Sequence, residues 1–320
     1  MSIFGTTCPK RSVRAPLILA ALGLLLAEAP AAALQAHPLP PDDDDAWLRL
    51  ETTSLNASWV GVDTGGADTV STWLVRPDRS DPAPVVLIVQ EAAGVTEWTQ
   101  AVAVQLADHG FLAVVPDLLS GKVPGGGRSQ AVPEAEAVRL TSGLTWSEVR
   151  RRIDAVAGYA AGLPEGRNRL GIVGFGWGGE QAFRYATERT ELDAAVIFYG
   201  AAPDSAAAAK IRTPLLALYG GNDAQVNATV EPLLLWREKL EKRREKQLAK
   251  IERLEEKGKE HEKEPDPLPW LFEDGRFEHR LHGGAGHGFL RFPSRAASNQ
   301  RAAGDAWPRT IRFLRAHLGG

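Results

Sequence analysis

Cysteine and metal-ligand patterns are almost absent from this sequence. Cys8 is the single cysteine among 320 residues, so one chain can form neither a disulfide framework nor a multi-cysteine zinc site. The histidines show no metal-ligand spacing, and we expect neither a metal nor a cofactor.

The sequence also lacks an excess of charge of either sign. Its 37 basic and 40 acidic residues leave a net charge of −3, which argues against a protein that binds nucleic acid by neutralising phosphates. With 44% hydrophobic and 24% charged residues the composition is that of a folded, non-fibrous protein. A chain of this length can bury enough apolar surface to fold without a partner.

No apolar run is long enough to span a bilayer. The longest runs from Ala15 to Ala27, well short of the roughly 20 residues that a spanning helix needs. Basic residues precede it and an A-x-A pattern follows it: Lys10, Arg11, Arg14 and Ala31–Ala33. The pattern predicts a cleaved export signal over residues 1–33, a periplasmic or extracellular protein, and no membrane attachment after cleavage. Residues 34–45, rich in proline and aspartate, are predicted to be a flexible lead-in.

From residue 46 onward, strand patterns alternate with helical patterns. Strands are predicted at Val70–Val75, Val85–Gln90, Leu112–Val115, Leu170–Gly174, Ala194–Tyr199, Leu215–Tyr219 and Phe277–Leu281. Amphipathic helices are predicted at Thr96–His109, Trp146–Leu163, Gly178–Thr190 and Asp305–Leu318. This alternation predicts a single α/β domain over 46–320, with a doubly wound, mostly parallel sheet.

Two segments interrupt the alternation. Leu118–Thr145, with three consecutive glycines, is predicted to be a long loop that covers the site and influences substrate choice. Residues 237–264, with 11 basic and 9 acidic residues, predict a charged helix that projects from the domain before the last strand. Such a helix is either a solvated polar element or an arm that contacts another protein.

A glycine-rich turn follows the predicted strand at Leu170–Gly174. Its glycines satisfy the dinucleotide-binding pattern G-x-G-x-x-G, but the next strand ends without the acidic residue that would hold a ribose. The alternative is the nucleophile elbow of hydrolases over Gly174–Gly178, which places Gly176 at the nucleophile position. Asp223 follows a later strand and His287 lies on a glycine-rich loop, so the elbow, the acid and the base occur in hydrolase order.

These motifs, together with Gln90-Glu91 after a strand and Gly286-His287-Gly288-Phe289, resemble the dienelactone hydrolase family from about residue 60 to the C-terminus, apart from the charged segment 237–264. The resemblance implies an α/β-hydrolase fold and a Cys-Asp-His triad, with Asp223 as the acid and His287 as the base. It also implies that Glu91 hydrogen-bonds the resting nucleophile and that Arg291 holds a substrate carboxylate.

The main-chain amides of Trp177 and Ala92 are expected to form an oxyanion hole, because they follow the elbow and the strand that ends at Glu91. Where the family has its cysteine, this sequence has Gly176, and no G-x-S-x-G is present. Three functions remain open on the sequence. One is weak hydrolysis of small esters or lactones by water that His287 activates, and another is binding of an ester or carboxylate ligand without turnover. In the third, the domain is a scaffold for the charged helix.

Overall fold

The computed structural model describes residues 39–66, 68–257, 264–273 and 275–319. The predicted export signal, including Cys8, and residues 34–38 of the lead-in lie outside the described residues. The described chain forms eight strands: β1 (Asn56–Asp63), β2 (Thr69–Arg76), β3 (Ala83–Val89), β4 (Leu112–Pro116), β5 (Gly166–Phe175), β6 (Ala194–Phe198), β7 (Leu215–Gly220) and β8 (Phe277–His282). They make one sheet with the strand order β1-β2-β4-β3-β5-β6-β7-β8.

The sheet is parallel from β4 to β8, while β2 runs antiparallel to both β1 and β4. This confirms the predicted mostly parallel sheet, and all seven predicted strands are present. β1 was not predicted. It lies at the edge of the sheet with most of its side chains exposed or half-buried, so it lacks the continuous apolar run that marks a central strand.

Helices cover both faces of the sheet. They are α1 (Ala46–Thr52), α2 (Glu97–Asp108), α3 (Glu134–Ser142), α4 (Trp146–Ala161), α5 (Trp177–Glu188), α6 (Ser205–Ala208), α7 (Ala224–Glu255) and α8 (Ala297–Leu318). α1, α2 and α8 pack on one face and α4 to α7 on the other. The central strand β3 is buried on both sides, with Val86 and Ile88 in one core and Val85 and Leu87 in the other. The doubly wound architecture is therefore confirmed.

The segment predicted to be one long loop, Leu118–Thr145, is partly helical. It contains a short 3-10 turn at Ser129–Ala131 and the helix α3. Asp117 ties the irregular part together, because its carboxylate accepts hydrogen bonds from the N–H groups of Ser129 at 2.6 Å and Leu119 at 3.0 Å. The prediction of an unbroken loop is therefore wrong. The sequence did not reveal α3 because this short helix has only two buried residues, Ala137 and Thr141, too few to show a clear apolar stripe.

The charged helix is the C-terminal part of α7, which begins at Ala224 rather than near residue 237. Pro232 lies inside α7, and a proline ordinarily ends a helical pattern, which concealed the first part of the helix in the sequence. Gln247 and Arg243 both bond Asp266, so the helix is tied to the chain that follows it. Residues 258–263 of the predicted insert lie outside the described residues.

Candidate active site

Gly176 forms a sharp turn between β5 and α5, at the carboxyl edge of the sheet. Its backbone has φ +53° and ψ −117°, a conformation that costs a residue with a Cβ about 1–3 kcal/mol and that glycine adopts freely. The predicted strand–turn–helix geometry of a nucleophile elbow is therefore present, with a glycine at the position from which a nucleophile would project.

The neighbouring glycines are required by close packing of backbone on backbone. A Cβ added to Gly178 would lie 2.1 Å from the carbonyl oxygen of Gln90, and one added to Gly174 would lie 2.2 Å from the carbonyl oxygen of Gly178. Both distances are far shorter than van der Waals contact. The glycine pattern is thus explained by the packing of the elbow against the end of β3 and against the first turn of α5, and no nucleotide is needed to account for it.

Asp223 and His287 form the pair that the sequence predicted. Asp223 caps the N-terminus of α7, where Oδ1 accepts a hydrogen bond from the Val226 N–H at 3.3 Å, while Oδ2 lies 2.6 Å from Nδ1 of His287. Asp223 is buried, with 7% of its side chain exposed, whereas the His287 side chain is 53% exposed. An ionised carboxylate only accepts hydrogen bonds, so Nδ1 donates to it, and whenever the ring is unprotonated Nε2 is left as the proton acceptor.

Nε2 of His287 points toward the elbow. It lies 3.3 Å from the place that a Cβ on Gly176 would occupy, and Cγ of Glu91 lies 4.0 Å from the same place. Asp223 therefore contacts His287, and His287 faces the nucleophile position, although position 176 carries no side chain. This is the arrangement in which a histidine deprotonates an attacking oxygen.

Tyr199, the residue after β6, packs its ring against the imidazole of His287, and the sequence had not singled it out as a site residue. Its ring centroid lies 5.0 Å from that of His287 and 5.4 Å from that of Phe289, and Tyr199 itself is fully buried. Burial, together with the charge of Glu91, raises the pKa of the Tyr199 phenol well above its usual range. Tyr199 therefore stays neutral and limits the positions open to the imidazole.

Glu91 follows β3 and is largely buried, with 13% of its side chain exposed. Its Oε2 accepts a hydrogen bond from Nη1 of Arg291 at 2.9 Å. Burial raises the pKa of Glu91, and the positive charge of Arg291 offsets only part of that effect. Glu91 is thus held at the elbow by an ion pair with the arginine that the sequence had assigned to substrate binding.

Arg291 is buried and is held by a second carboxylate that the sequence analysis missed. Asp43 belongs to residues 34–45, the segment predicted to be a flexible lead-in. The described part of that segment nevertheless includes a 3-10 turn at Asp43–Asp45. Nε of Arg291 donates to Oδ1 of Asp43 at 2.8 Å and Nη2 donates to Oδ2 at 3.2 Å. Although burial acts to lower the pKa of Arg291, the carboxylates of Asp43 and Glu91 outweigh it and raise that pKa.

A cavity of about 480 Å³ opens above the elbow; we call it the elbow cavity. It is lined by Asp43, Glu91, Ala92, Ala93, Glu134, Val138, Gly176, Trp177, His287, Gly288, Arg291, Phe292 and Arg295. Six of the seven residues that the sequence assigned to the site line this cavity. The seventh, Asp223, lies behind His287. Glu134 and Val138 belong to α3, so part of the predicted covering segment does border the site.

Trp177 and Ala92, whose main-chain amides the sequence predicted as an oxyanion hole, both line the elbow cavity. Trp177 is the first residue of α5, so its N–H has no partner four residues earlier within the helix. Ala92 follows Glu91, and the Ala92 carbonyl oxygen accepts a hydrogen bond from Oγ1 of Thr141 at 2.9 Å, which orients the chain beside the cavity. These are the two positions expected for an oxyanion hole.

Within the residues that the structure describes, no group of three or more histidine, cysteine or acidic side chains is arranged to hold a metal ion. Nor does that part of the chain contain a helix long and apolar enough to cross a membrane.

The sequence profile of the dienelactone hydrolase family matches residues 70–253 of this chain, more than half of its length. The chain belongs to the dienelactone hydrolase family. The matched region includes Glu91, the elbow and Asp223, and it ends before His287, whose place in the site follows from its contact with Asp223.

Relatives and solved structures agree with this membership. An Escherichia coli K12 protein, provisionally named a carboxymethylenebutenolidase, is 32% identical over 213 residues, which cover 62% of this chain and 73% of that protein. The Pseudomonas putida carboxymethylenebutenolidase is 30% identical over 168 residues, which cover 50% of this chain and 70% of that protein.

A Klebsiella pneumoniae structure, provisionally described as a dienelactone hydrolase, superposes with a TM-score of 0.62 at 24% identity over 82% of this chain and 99% of that chain. A dienelactone hydrolase-like promiscuous phosphotriesterase from metagenomic libraries gives a TM-score of 0.60 at 19% identity, over 83% of this chain and 100% of that chain. At these identities the superpositions establish the α/β-hydrolase fold, which the sequence predicted.

Proposed function

We propose that this protein hydrolyses small esters or lactones, using a water molecule that His287 activates in place of a side-chain nucleophile. The observation that carries the proposal is the alignment of Asp223, His287 and Gly176. Nδ1 of His287 is bonded to Asp223 at 2.6 Å, and Nε2 lies 3.3 Å from the position of a Cβ at residue 176. Without a Cβ and a terminal oxygen or sulfur atom, that space accommodates a water within hydrogen-bond reach of Nε2.

The reaction follows from this geometry. The water oxygen attacks the acyl carbon while its proton passes to Nε2, and the carbonyl oxygen becomes an oxyanion next to the amides of Trp177 and Ala92. The imidazolium then gives the proton to the leaving alkoxide as the acyl C–O bond breaks. Asp223 stabilises the imidazolium that forms between the two steps.

The expected activity is weak. In serine hydrolases that have lost a member of the triad, binding and the oxyanion hole still accelerate hydrolysis about 10³- to 10⁴-fold over water. With His287 as the base and the amides of Trp177 and Ala92 as the oxyanion hole, we expect an acceleration of at least that order, about 10³-fold.

The test is hydrolysis of 4-nitrophenyl acetate and of dihydrocoumarin by the purified protein and by His287→Gln. We expect His287→Gln to lose at least about tenfold in rate, because general base catalysis contributes about 10²-fold or more. The rate of the unmodified protein should depend on pH, because only a neutral imidazole accepts the proton. The matched control is His317→Gln, a half-buried histidine at the end of α8, which should leave the rate unchanged.

Asp223→Asn isolates the charge of the acid, since asparagine also caps a helix N-terminus. We expect the fold to be kept and the rate to fall. A rate that neither depends on pH between 5 and 8 nor changes in His287→Gln would exclude the histidine base.

Binding without turnover is a second candidate, favoured by the absence of a nucleophilic atom at Gly176. Gly176→Cys separates the two, because a thiol there would lie beside Nε2 of His287. Activity only in Gly176→Cys would mean that the site has lost its nucleophile and that the native protein binds an ester or carboxylate without converting it.

We also propose that the protein is exported. The support is the sequence pattern of residues 1–33, with basic residues before an apolar run and alanines after it. Cell fractionation and N-terminal sequencing of the protein from its native host test this. A protein that retains residue 1 and stays in the cytoplasm would contradict it.

A further inference from the structure

Asp43 contacts Arg291 in the way that a bound carboxylate would. Its two carboxylate oxygens accept from Nε at 2.8 Å and from Nη2 at 3.2 Å, the paired geometry in which a guanidinium recognises a carboxylate ligand. The Asp43 N–H also donates to the carbonyl oxygen of Arg291 at 3.0 Å. Asp43 thus meets both the side chain and the main chain of Arg291.

The segment that carries Asp43 is fastened at a second point. The carboxylate of Asp42 accepts a hydrogen bond from the Ser294 N–H at 3.0 Å, and α1 follows directly after the turn. Ala46, the first residue of α1, is fully buried in the core. Asp43 is therefore held on Arg291 from both sides along the chain.

The charges of the elbow cavity do not favour a second carboxylate. Nη1 of Arg291 lies 2.9 Å from Glu91 and 3.7 Å from Glu134, in addition to its contacts with Asp43. A carboxylate arriving at this guanidinium would approach three others, and repulsion between like charges is strong where water is partly excluded.

The other guanidinium of the cavity does not replace Arg291. Arg295 is exposed and lies over the Phe292 ring at 3.4 Å, where solvent screens its attraction for an anion. The rest of the lining includes the apolar side chains of Ala92, Ala93, Val138 and Trp177, which suit an uncharged acyl group.

We propose that Asp43 is a specificity-determining residue: it occupies the face of Arg291 that would otherwise hold a substrate carboxylate, so the site takes uncharged esters or lactones. Arg291 is then a positioning residue for Glu91 and Asp43 rather than the substrate-carboxylate ligand that the sequence resemblance implied. This inference rests on the proposed hydrolysis for its kinetic test, and a binding test examines it independently.

The kinetic test uses two esters that differ in one charge, mono-4-nitrophenyl adipate and its methyl ester. The unmodified protein should have a kcat/KM at least tenfold higher for the methyl ester. Asp43→Asn, which keeps the shape and removes the charge, should shift the ratio of the two kcat/KM values at least tenfold toward the carboxylate. The matched control is Asp44→Asn, an exposed neighbour in the same turn, which should leave the ratio unchanged.

The binding test is calorimetric titration with butyrate, which needs no turnover. We expect Asp43→Asn to bind butyrate at least tenfold more tightly than the unmodified protein does. Asp43→Ser serves as a second variant if the asparagine variant melts at a lower temperature, since serine also suits a turn.

The outcomes separate the two proposals. If no variant hydrolyses either ester, the proposed hydrolysis fails, and the butyrate titration decides the role of Asp43 alone. If both esters are hydrolysed but Asp43→Asn changes neither the ratio nor butyrate affinity by more than twofold, the specificity role is refuted while hydrolysis stands. A preference of the unmodified protein for the charged ester would also overturn it.

Discussion

Replacing Arg291 with methionine removes the cation that pairs with the buried carboxylate of Glu91. Methionine has a similar length and no charge, so the change leaves Glu91, with 13% of its side chain exposed, without its ion-pair partner. Asp43, with 26% exposed, regains water more easily. We expect Arg291→Met to lower the free energy of unfolding, and to lower it more at high pH.

The magnitude follows from the position of Glu91. Breaking a buried ion pair costs about 3–5 kcal/mol when one charge stays behind. This cost has an upper limit, because Glu91 can stay buried by taking up a proton. With an ordinary glutamate pKa of 4.5, protonation costs about 5 kcal/mol at pH 8 and under about 1 kcal/mol at pH 5.

The sign of the pH dependence follows because a raised pKa means that the folded state holds the proton more tightly. The unfolded chain is therefore favoured as pH rises above the ordinary glutamate range. We expect a loss of about 3 kcal/mol at pH 8 and under about 1 kcal/mol at pH 5 for Arg291→Met.

Urea unfolding, followed by tryptophan fluorescence at both pH values and equal salt, measures these losses. Adding Glu91→Gln to Arg291→Met should recover at least half of the loss at pH 8, because it removes the stranded charge. Arg295→Met is the matched control, and as an exposed arginine it should cost under about 1 kcal/mol. Equal losses at pH 5 and pH 8, with no recovery in the double variant, would refute the reasoning.

Two further predictions concern the scaffold around the site. Gly178→Ala should destabilise the protein by more than about 3 kcal/mol in the same unfolding assay, because its Cβ would lie 2.1 Å from the Gln90 carbonyl oxygen. Gly158→Ala in α4, where nothing lies within 4 Å of an added Cβ, should instead stabilise it by about 0.5–1 kcal/mol, and equal effects at both glycines would contradict the packing argument. Arg152→Met should cost about 3 kcal/mol, because the fully buried Arg152 donates to two loop carbonyl oxygens and to Asp68. Arg151→Met, at a half-exposed arginine that also contacts Asp68, should cost under about 1 kcal/mol, and a loss equal to that of Arg152→Met would count against the anchoring role.

The parallel sheet was predictable because its inner strands are continuous apolar runs. β3, β4, β6 and β7 are buried along their whole length and β5 along its second half, and such runs between helical patterns permit few other folds. The edge strand β1 and the short helix α3 were missed because exposed elements carry weak periodicity. The early start of α7 was hidden by Pro232, which lies inside the helix at a place where a sequence pattern would end it.

The catalytic geometry was predictable in part for a similar local reason. Gly176, Asp223 and His287 each follow a strand or lie in a glycine-rich turn, and the carboxyl ends of parallel strands meet at one edge of the sheet. Local sequence therefore places these residues at the same edge without any knowledge of distances.

The contact between Asp43 and Arg291 joins residues 248 positions apart. No local pattern marks it, since an aspartate among four in a row resembles a solvated lead-in until the fold brings the partner arginine to it. The order of strands and turns thus determines which residues can reach the site. The packing of distant segments determines which charges are neutralised there, because electrostatic partners are chosen by distance in space rather than by distance along the chain.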